Sequence, residues 1–354
     1  MIAYIIYVRE MLKLIKKHRQ AIIGVAAYLI LKFHCQIPIY PENLKIPYFI
    51  DYFIMKSGFY GVDITLLLSG FGLVNSINNN SLSKYYKHRI SRIIIPFVLM
   101  GVRYYFYYEW NLKTLILNIT GINFYLKNTL SFLWFIPAIS TLYLLFPLYY
   151  KWYKKQNNKL MATIISLIVW LIPIKCLESL IRHDFFIFIN RIPVFLIGIY
   201  FGQLSFEKKD YNNKTIIIFF SILLLLFGSY EMHLCKEHNH YLFITDSSTC
   251  IPALCLALSS TIILSYIFEK IPILAKPFSW LGTFSLEIYC YYNLIRVRSF
   301  YRILALTGKP IYIYLLLMLC TILISYIFKL ICDLIKCICI YINNKISAKL
   351  QNKV

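Results

Sequence analysis

The chain has 354 residues, of which 60% are hydrophobic, 18% aromatic and only 15% charged, whereas soluble globular domains carry about a quarter charged residues. That shortfall recurs between short basic clusters along the whole length, which excludes a sizeable soluble domain and predicts a polytopic membrane protein. A formal charge of +22, from 37 Lys+Arg against 15 Asp+Glu, would suit nucleic acid on a soluble chain. On one this apolar it reports topology, and no nucleic-acid partner is expected.

Residues 1–19 open with a short apolar stretch followed by Lys13, Lys16, Lys17 and Arg19. This order is the reverse of a secretory signal and predicts an interfacial amphipathic helix whose cations rest among anionic lipid headgroups. A helix needs about 20 apolar residues to cross the hydrocarbon. Ten stretches qualify, near 20–38, 58–77, 93–110, 131–150, 160–177, 187–205, 215–232, 250–268, 279–295 and 311–331. Connections are short and no internal repeat is visible, so residues 20–331 read as one all-α domain of ten spans, followed by a basic tail, 332–354. With the N-terminus in the cytoplasm, 23 Lys/Arg fall on that side and 12 on the other. This bias predicts both termini inside. Usage rich in Ile, Lys and Asn suggests an A+T-rich bacterial genome and hence a bacterial plasma membrane.

The ten cysteines are scattered, and Cys35, Cys176, Cys255, Cys290 and Cys320 lie in or beside apolar runs, where a thiol behaves as a small hydrophobe. Cys332, Cys337 and Cys339 lack the spacing of a zinc site, so no metal is expected. Cys235 and Cys250 flank a polar loop and would be able to pair if that loop is extracytoplasmic.

Ionisable groups inside spans are costly, and each marks a possible site. Asp63 sits in GFYGVDITLLLSGFGL and Glu287 in WLGTFSLEIYCYYNL; His34, Lys32, Arg103 and Glu109 complete the set. Lys32 and Arg103 read as snorkelling, positional cations. His34 lies some 14 residues into the first span, about 20 Å from its cytoplasmic entry. The loop after span two, SLSKYYKHRISRIIIPF, carries Lys84, Lys87, His88, Arg89 and Arg92. Arg89 and Arg92 are three apart on one helical face, so they read either as an ordinary positive flank or as a bidentate clamp for a pyrophosphate.

These segments together resemble the acyltransferase family three of integral-membrane proteins, which moves acyl groups from a cytoplasmic thioester to envelope glycans. GFYGVDITLLLSGFGL resembles the family's glycine–valine–aspartate, apolar run, serine–glycine–phenylalanine segment, and YYKHRISRIIIPF its aromatic, RxxR and proline stretch. LWFIPAISTLYLLFPL around Trp134, RIPVFLIGIYFG from Arg191 and LGTFSLEIY from Leu281 follow in the family's order. QAIIGVAAYLILKFHC is similar to the family's arginine–glycine–x–alanine start with a histidine eleven residues on, which puts those two positions on one face. His34, Gly24 and Ala26 fit; the arginine position holds Ile23. In the ninth span Tyr292 or Asn293 stands where the family often has histidine. These departures leave open a divergent subgroup, a different acceptor or a weakened enzyme.

The resemblance implies an O-acyltransferase using acyl-CoA, with acetyl-CoA the expected donor, on a hydroxyl of an envelope polysaccharide or glycolipid. Arg89 and Arg92, helped by Lys87 and His88, would hold the donor phosphates. His34 would act as general base or transient acyl carrier. Asp63 and Glu287 would either orient and charge-balance His34 or pair with an intramembrane arginine or helix ends. Arg191 and Trp134 are expected toward the acceptor, where Arg191 would equally serve as an interfacial anchor. A flippase or transporter for a lipid-linked glycan and a catalytically weakened homologue are the alternative readings.

Overall fold

The structure is a computed structural model that describes residues 3–36, 38–108, 110–126, 133–177, 183–207, 214–237, 249–295 and 310–351. The described residues are helical throughout and contain no strand. In chain order the helices are α1 (Ala3–Cys35), α2 (Lys45–Ser57), α3 (Gly61–Asn79), α4 (Leu82–Tyr108), α5 (Leu112–Ile119), α6 (Ile122–Leu126), α7 (Phe135–Lys155) and α8 (Lys159–Leu177). They continue as α9 (His183–Ile189), α10 (Ile192–Phe206), α11 (Lys214–Glu237), α12 (Cys250–Lys270), α13 (Pro272–Thr283), α14 (Ser285–Ile295) and α15 (Pro310–Gln351). A single 3-10 turn, Gly58–Tyr60, joins α2 to α3.

Among the described residues, five helical segments are long and apolar enough to cross a membrane: Lys45–Asn79, Phe185–Phe206, Ile216–Cys235, Cys250–Lys270 and Tyr314–Ile342. Large apolar side chains point outward from them in rows, among them Phe219, Phe220 and Leu226 on α11 and Leu315, Leu319, Leu323 and Ile327 on α15. Such faces suit hydrocarbon and not water. The described parts of all ten apolar stretches are predominantly helical. The ninth, 279–295, is not one helix, because the backbone breaks at Phe284 between α13 and α14.

α1 runs without interruption past residue 19, so the amphipathic segment and the first apolar stretch form one helix. Met11, Leu12 and Ile15 are buried in the cluster that also holds Tyr266 and Phe268 of α12. At the same level Lys17 and His18 both reach Glu269 at 2.7 Å and fasten α1 to the end of α12.

Two helix crossings depend on the absence of side chains. α3 and α10 approach at Gly70 and Gly198, where an added Cβ would lie 2.3 Å from the Phe195 carbonyl oxygen and 2.2 Å from that of Leu67. α1 and α13 cross at Gly24 and Gly282, where a Cβ would meet the carbonyl oxygens of Phe278 at 1.8 Å and Gln20 at 2.1 Å. Without a hydrophobic drive between helices in lipid, backbone approach of this kind is a main source of packing energy. The obstructing atoms are backbone, so a larger residue has nowhere to turn.

Replacing Gly24 with Val should therefore separate α1 from α13 and cost about 1–3 kcal/mol or more. The check is the melting temperature and monodisperse yield in detergent; wild-type values for both would contradict the crossing.

Candidate active site

Three pairs of charged side chains organise the interior, and two of them join helices far apart in sequence. The first lies at the start of α4. Tyr85 and Tyr86 donate to the Tyr143 and Leu144 carbonyls at 3.0 and 3.1 Å and hold α4 on α7. From this anchored turn Arg92 Nη2 donates to the Thr283 carbonyl at 2.9 Å and to Glu287 Oε2 at 3.1 Å. The Glu287 side chain is 2% exposed and that of Arg92 42% exposed, so the guanidinium is held at its base yet still reachable. Arg89 lies with Cζ 5.4 Å from the centre of the Tyr143 ring, and its Nε is buried with no hydrogen-bond partner. Lys87 and His88 are exposed beside them.

The second pair joins Asp63, in the first turn of α3, to Arg191, which precedes α10. Asp63 is 1% exposed and bonds Arg191 through Oδ2 and Nη1. The Arg191 guanidinium also lies over the Phe59 and Trp134 rings, at 5.6 and 5.8 Å. Asp63, Arg191 and Trp134 are thus one cluster.

The third pair corrects the expectation for Lys32. Its side chain is fully buried and does not snorkel; Nζ is 2.8 Å from Asp51 Oδ1 and 4.4 Å from the centre of the Tyr314 ring. Asp51 also accepts from the Ile39 backbone N–H at 2.7 Å, and Tyr314 donates to Tyr28 at 3.2 Å. The sequence reading missed Asp51 because it lies in what was taken as a connection between spans. A buried lysine requires an acid, however, and Asp51 follows closely on the same side of the chain. Arg103, the other cation read as positional, lies over the Tyr291 ring at 5.6 Å.

His34 occupies the last turn of α1, half-buried, with its ring edge-on to Phe33 at 5.0 Å. The packing of α1 on α3 places Gly61 against Ala26 and Gly58 against Leu29. His34 is eight residues above Ala26 and Asp63 two below Gly61, so the two are separated by about 15 Å along the helix axes. Asp63 and Glu287 each meet an arginine. Arg19 does not extend up toward Ile23; its Nε donates to the Leu68 carbonyl of α3 at 3.2 Å. Ile23 itself is buried among apolar side chains.

Cys235 and Cys250 are not joined in a disulfide; Cys250 donates to the Asn190 carbonyl. Among the described residues no three His, Cys, Asp or Glu side chains gather where a metal ion would sit. Glu109 and the side chains of Cys176, Tyr292 and Asn293 lie outside the described residues.

An acyltransferase-domain family model matches residues 22–330, nearly the whole helical bundle and all three ion pairs. The chain belongs to the acyltransferase 3 family. It is thus a membrane acyltransferase, and the matched region contains His34, Asp63, Arg89, Arg92, Trp134, Arg191 and Glu287. No curated protein matches the chain. No solved structure matches it either.

Removing one member of a buried pair leaves a bare charge, which costs about 3–5 kcal/mol, whereas replacing both by apolar residues is close to neutral. Asp51→Leu alone should therefore lower the melting temperature far more than Asp51→Leu combined with Lys32→Met. Equal losses in thermal denaturation would show that the two side chains are not coupled.

Proposed function

We propose that this acyltransferase takes its acyl group from cytoplasmic acyl-CoA, with acetyl-CoA as donor, and delivers it to a hydroxyl of an envelope polysaccharide or glycolipid. The reading includes ten membrane crossings with both termini in the cytoplasm of a bacterium. The observation that carries it is the pair Arg89 and Arg92: two guanidiniums on a turn anchored to α7, one with a buried unpartnered N–H, the other fixed by Glu287 and open to solvent. Guanidiniums so placed suit a phosphate-bearing donor, since each presents a planar fork matched to phosphate oxygens.

The thioester end of the donor then has to travel toward His34. From Arg19, level with the clamp, to His34 is fifteen residues of continuous helix, a rise of about 22 Å. The pantetheine arm bridges that distance within the bundle. His34 removes the proton from the acceptor hydroxyl as its oxygen attacks the thioester carbonyl; the C–S bond breaks and the thiolate leaves to take up a proton. Lys87 and His88, exposed beside the clamp, add positive charge at the inner mouth, and Glu287 positions Arg92. The Asp63, Arg191 and Trp134 cluster combines a fixed cation with an aromatic face, a combination that recognises a sugar hydroxyl and its ring. A second reading, a weakened enzyme, draws on the apolar burial of Ile23 where the family has arginine.

His34→Ala is expected to lower acyl transfer by about 10²–10⁴-fold, the usual contribution of a general base, with unchanged membrane insertion. The assay is mass spectrometry of surface glycans, seeking one acyl mass on a sugar; full acylation in the variant removes His34 from the mechanism. Arg89→Ala with Arg92→Ala should raise the KM for acyl-CoA by about tenfold or more, and an unchanged KM in steady-state kinetics refutes the clamp.

A further inference from the structure

Arg19 precedes the region matched by the family model, yet its side chain ends beside the clamp. Nε donates to the Leu68 carbonyl, and the guanidinium lies flat against Gly72, where an added Cβ would come 3.3 Å from Nη2 and 3.4 Å from Nε. Arg89 reaches the same place from α4, over Tyr143, whose hydroxyl is directed to Ser69 at 3.4 Å, next to Leu68. Arg19 and Arg89 are close enough to repel each other. Arg92, three residues beyond Arg89 on α4, is bonded to the Thr283 carbonyl, and the adjacent Gly282 packs directly on the carbonyl of Gln20, the neighbour of Arg19.

Arg19 and Arg89 thus end beside the Leu68–Ser69 turn of α3, and Arg92 leaves the same helix as Arg89 one turn further on. Among the described residues the carboxylate that pairs with any of them is Glu287, which Arg92 holds. Clustered like charges with one counter-charge, and a buried N–H on Arg89 with no partner, form a costly arrangement. An anion relieves both costs at once.

We propose that Arg19 is the third guanidinium of a single anion site shared with Arg89 and Arg92, and that this site takes the phosphates of the acyl donor. The proposal rests on the acyl-CoA reading above. Coenzyme A carries a pyrophosphate and a separate phosphate monoester, more negative charge than two arginines match. Gly72 serves the site by leaving room for the Arg19 guanidinium.

The experiment uses the full chain in nanodiscs of phosphatidylcholine alone, so that no anionic headgroup competes, and titrates coenzyme A by calorimetry with the melting temperature as second readout. Arg19→Ala should weaken coenzyme A binding by about tenfold or more without lowering the melting temperature of the unliganded protein, because the substitution relieves repulsion. Arg19→Lys, which keeps a point charge, should fall between, and Gly72→Leu, which displaces the guanidinium, should reproduce the loss in a chain with Arg19 intact. Unchanged affinity in Arg19→Ala overturns the proposal, as does a fall in affinity matched by a fall in unliganded melting temperature, which would mark a structural role. If Arg89→Ala weakens binding and Arg19→Ala does not, the donor reading stands and the third arginine is lost. If the wild-type protein does not bind coenzyme A, the donor reading itself fails, and this proposal with it.

Discussion

A charge withdrawn from water into a bundle of helices needs an opposite charge within reach, and this requirement ties the molecule together. Lys32 on α1 meets Asp51 on α2, Asp63 on α3 meets Arg191 before α10, and Arg92 on α4 meets Glu287 on α14. Every pair crosses between two helices, and the last two cross between helices widely separated in sequence. Each therefore specifies which helices are neighbours, a task that hydrophobic burial performs poorly when the surroundings are as apolar as the side chains. The glycine crossings then set how closely the neighbours approach. At Gly24 and Gly282, and again at Gly70 and Gly198, backbone meets backbone, and the second of these crossings brings together α3 and α10, the helices that the Asp63–Arg191 pair also links.

The arrangement divides the charged groups by accessibility. Asp63 and Lys32 are sealed, whereas Arg92 has an exposed flank and Lys87 and His88 are open. Sealed pairs hold the scaffold; the open cations on α4 are those that a charged molecule arriving from one side of the membrane would encounter. The proposed use of acyl-CoA fits this separation, since an anionic donor would have to be gripped without dissolving the polar contacts that keep the bundle closed.

Much of this was legible in the sequence. Apolar run length located most of the helices but passed over α2, α5 and α6, which lie between the apolar stretches, and the identity of the family followed from ordered segments rather than from any single residue. Periodicity marks Arg89 and Arg92 as neighbours on one face, and the cost of intramembrane charge marks Asp63, Glu287, His34 and Lys32 as exceptional. Pairing was harder to read. Asp63 with Arg191 is a contact 128 residues long in the chain, and no local pattern encodes it. Asp51 was missed because α2 mixes exposed Ile46, Phe49 and Ile50 with a buried carboxylate, which dilutes the apolar signal. The break at Phe284 was also invisible to hydropathy, since both sides of it are equally apolar.

That break has an electrical consequence. A continuous helix carries its partial charges only at its two distant ends, but an interruption brings a carbonyl-rich end and an amide-rich end to within one residue of each other. Here the carbonyl end of α13 offers Thr283 to the cation Arg92, while the anion Glu287 sits in the opening turn of α14, where the exposed amides favour it. The ion pair is thus seated across two opposed half-charges that the backbone itself supplies, so its polarity is written into the main chain. Exchanging the two residues, acid for base, would conserve the pair on paper and place both members against the wrong end of a dipole.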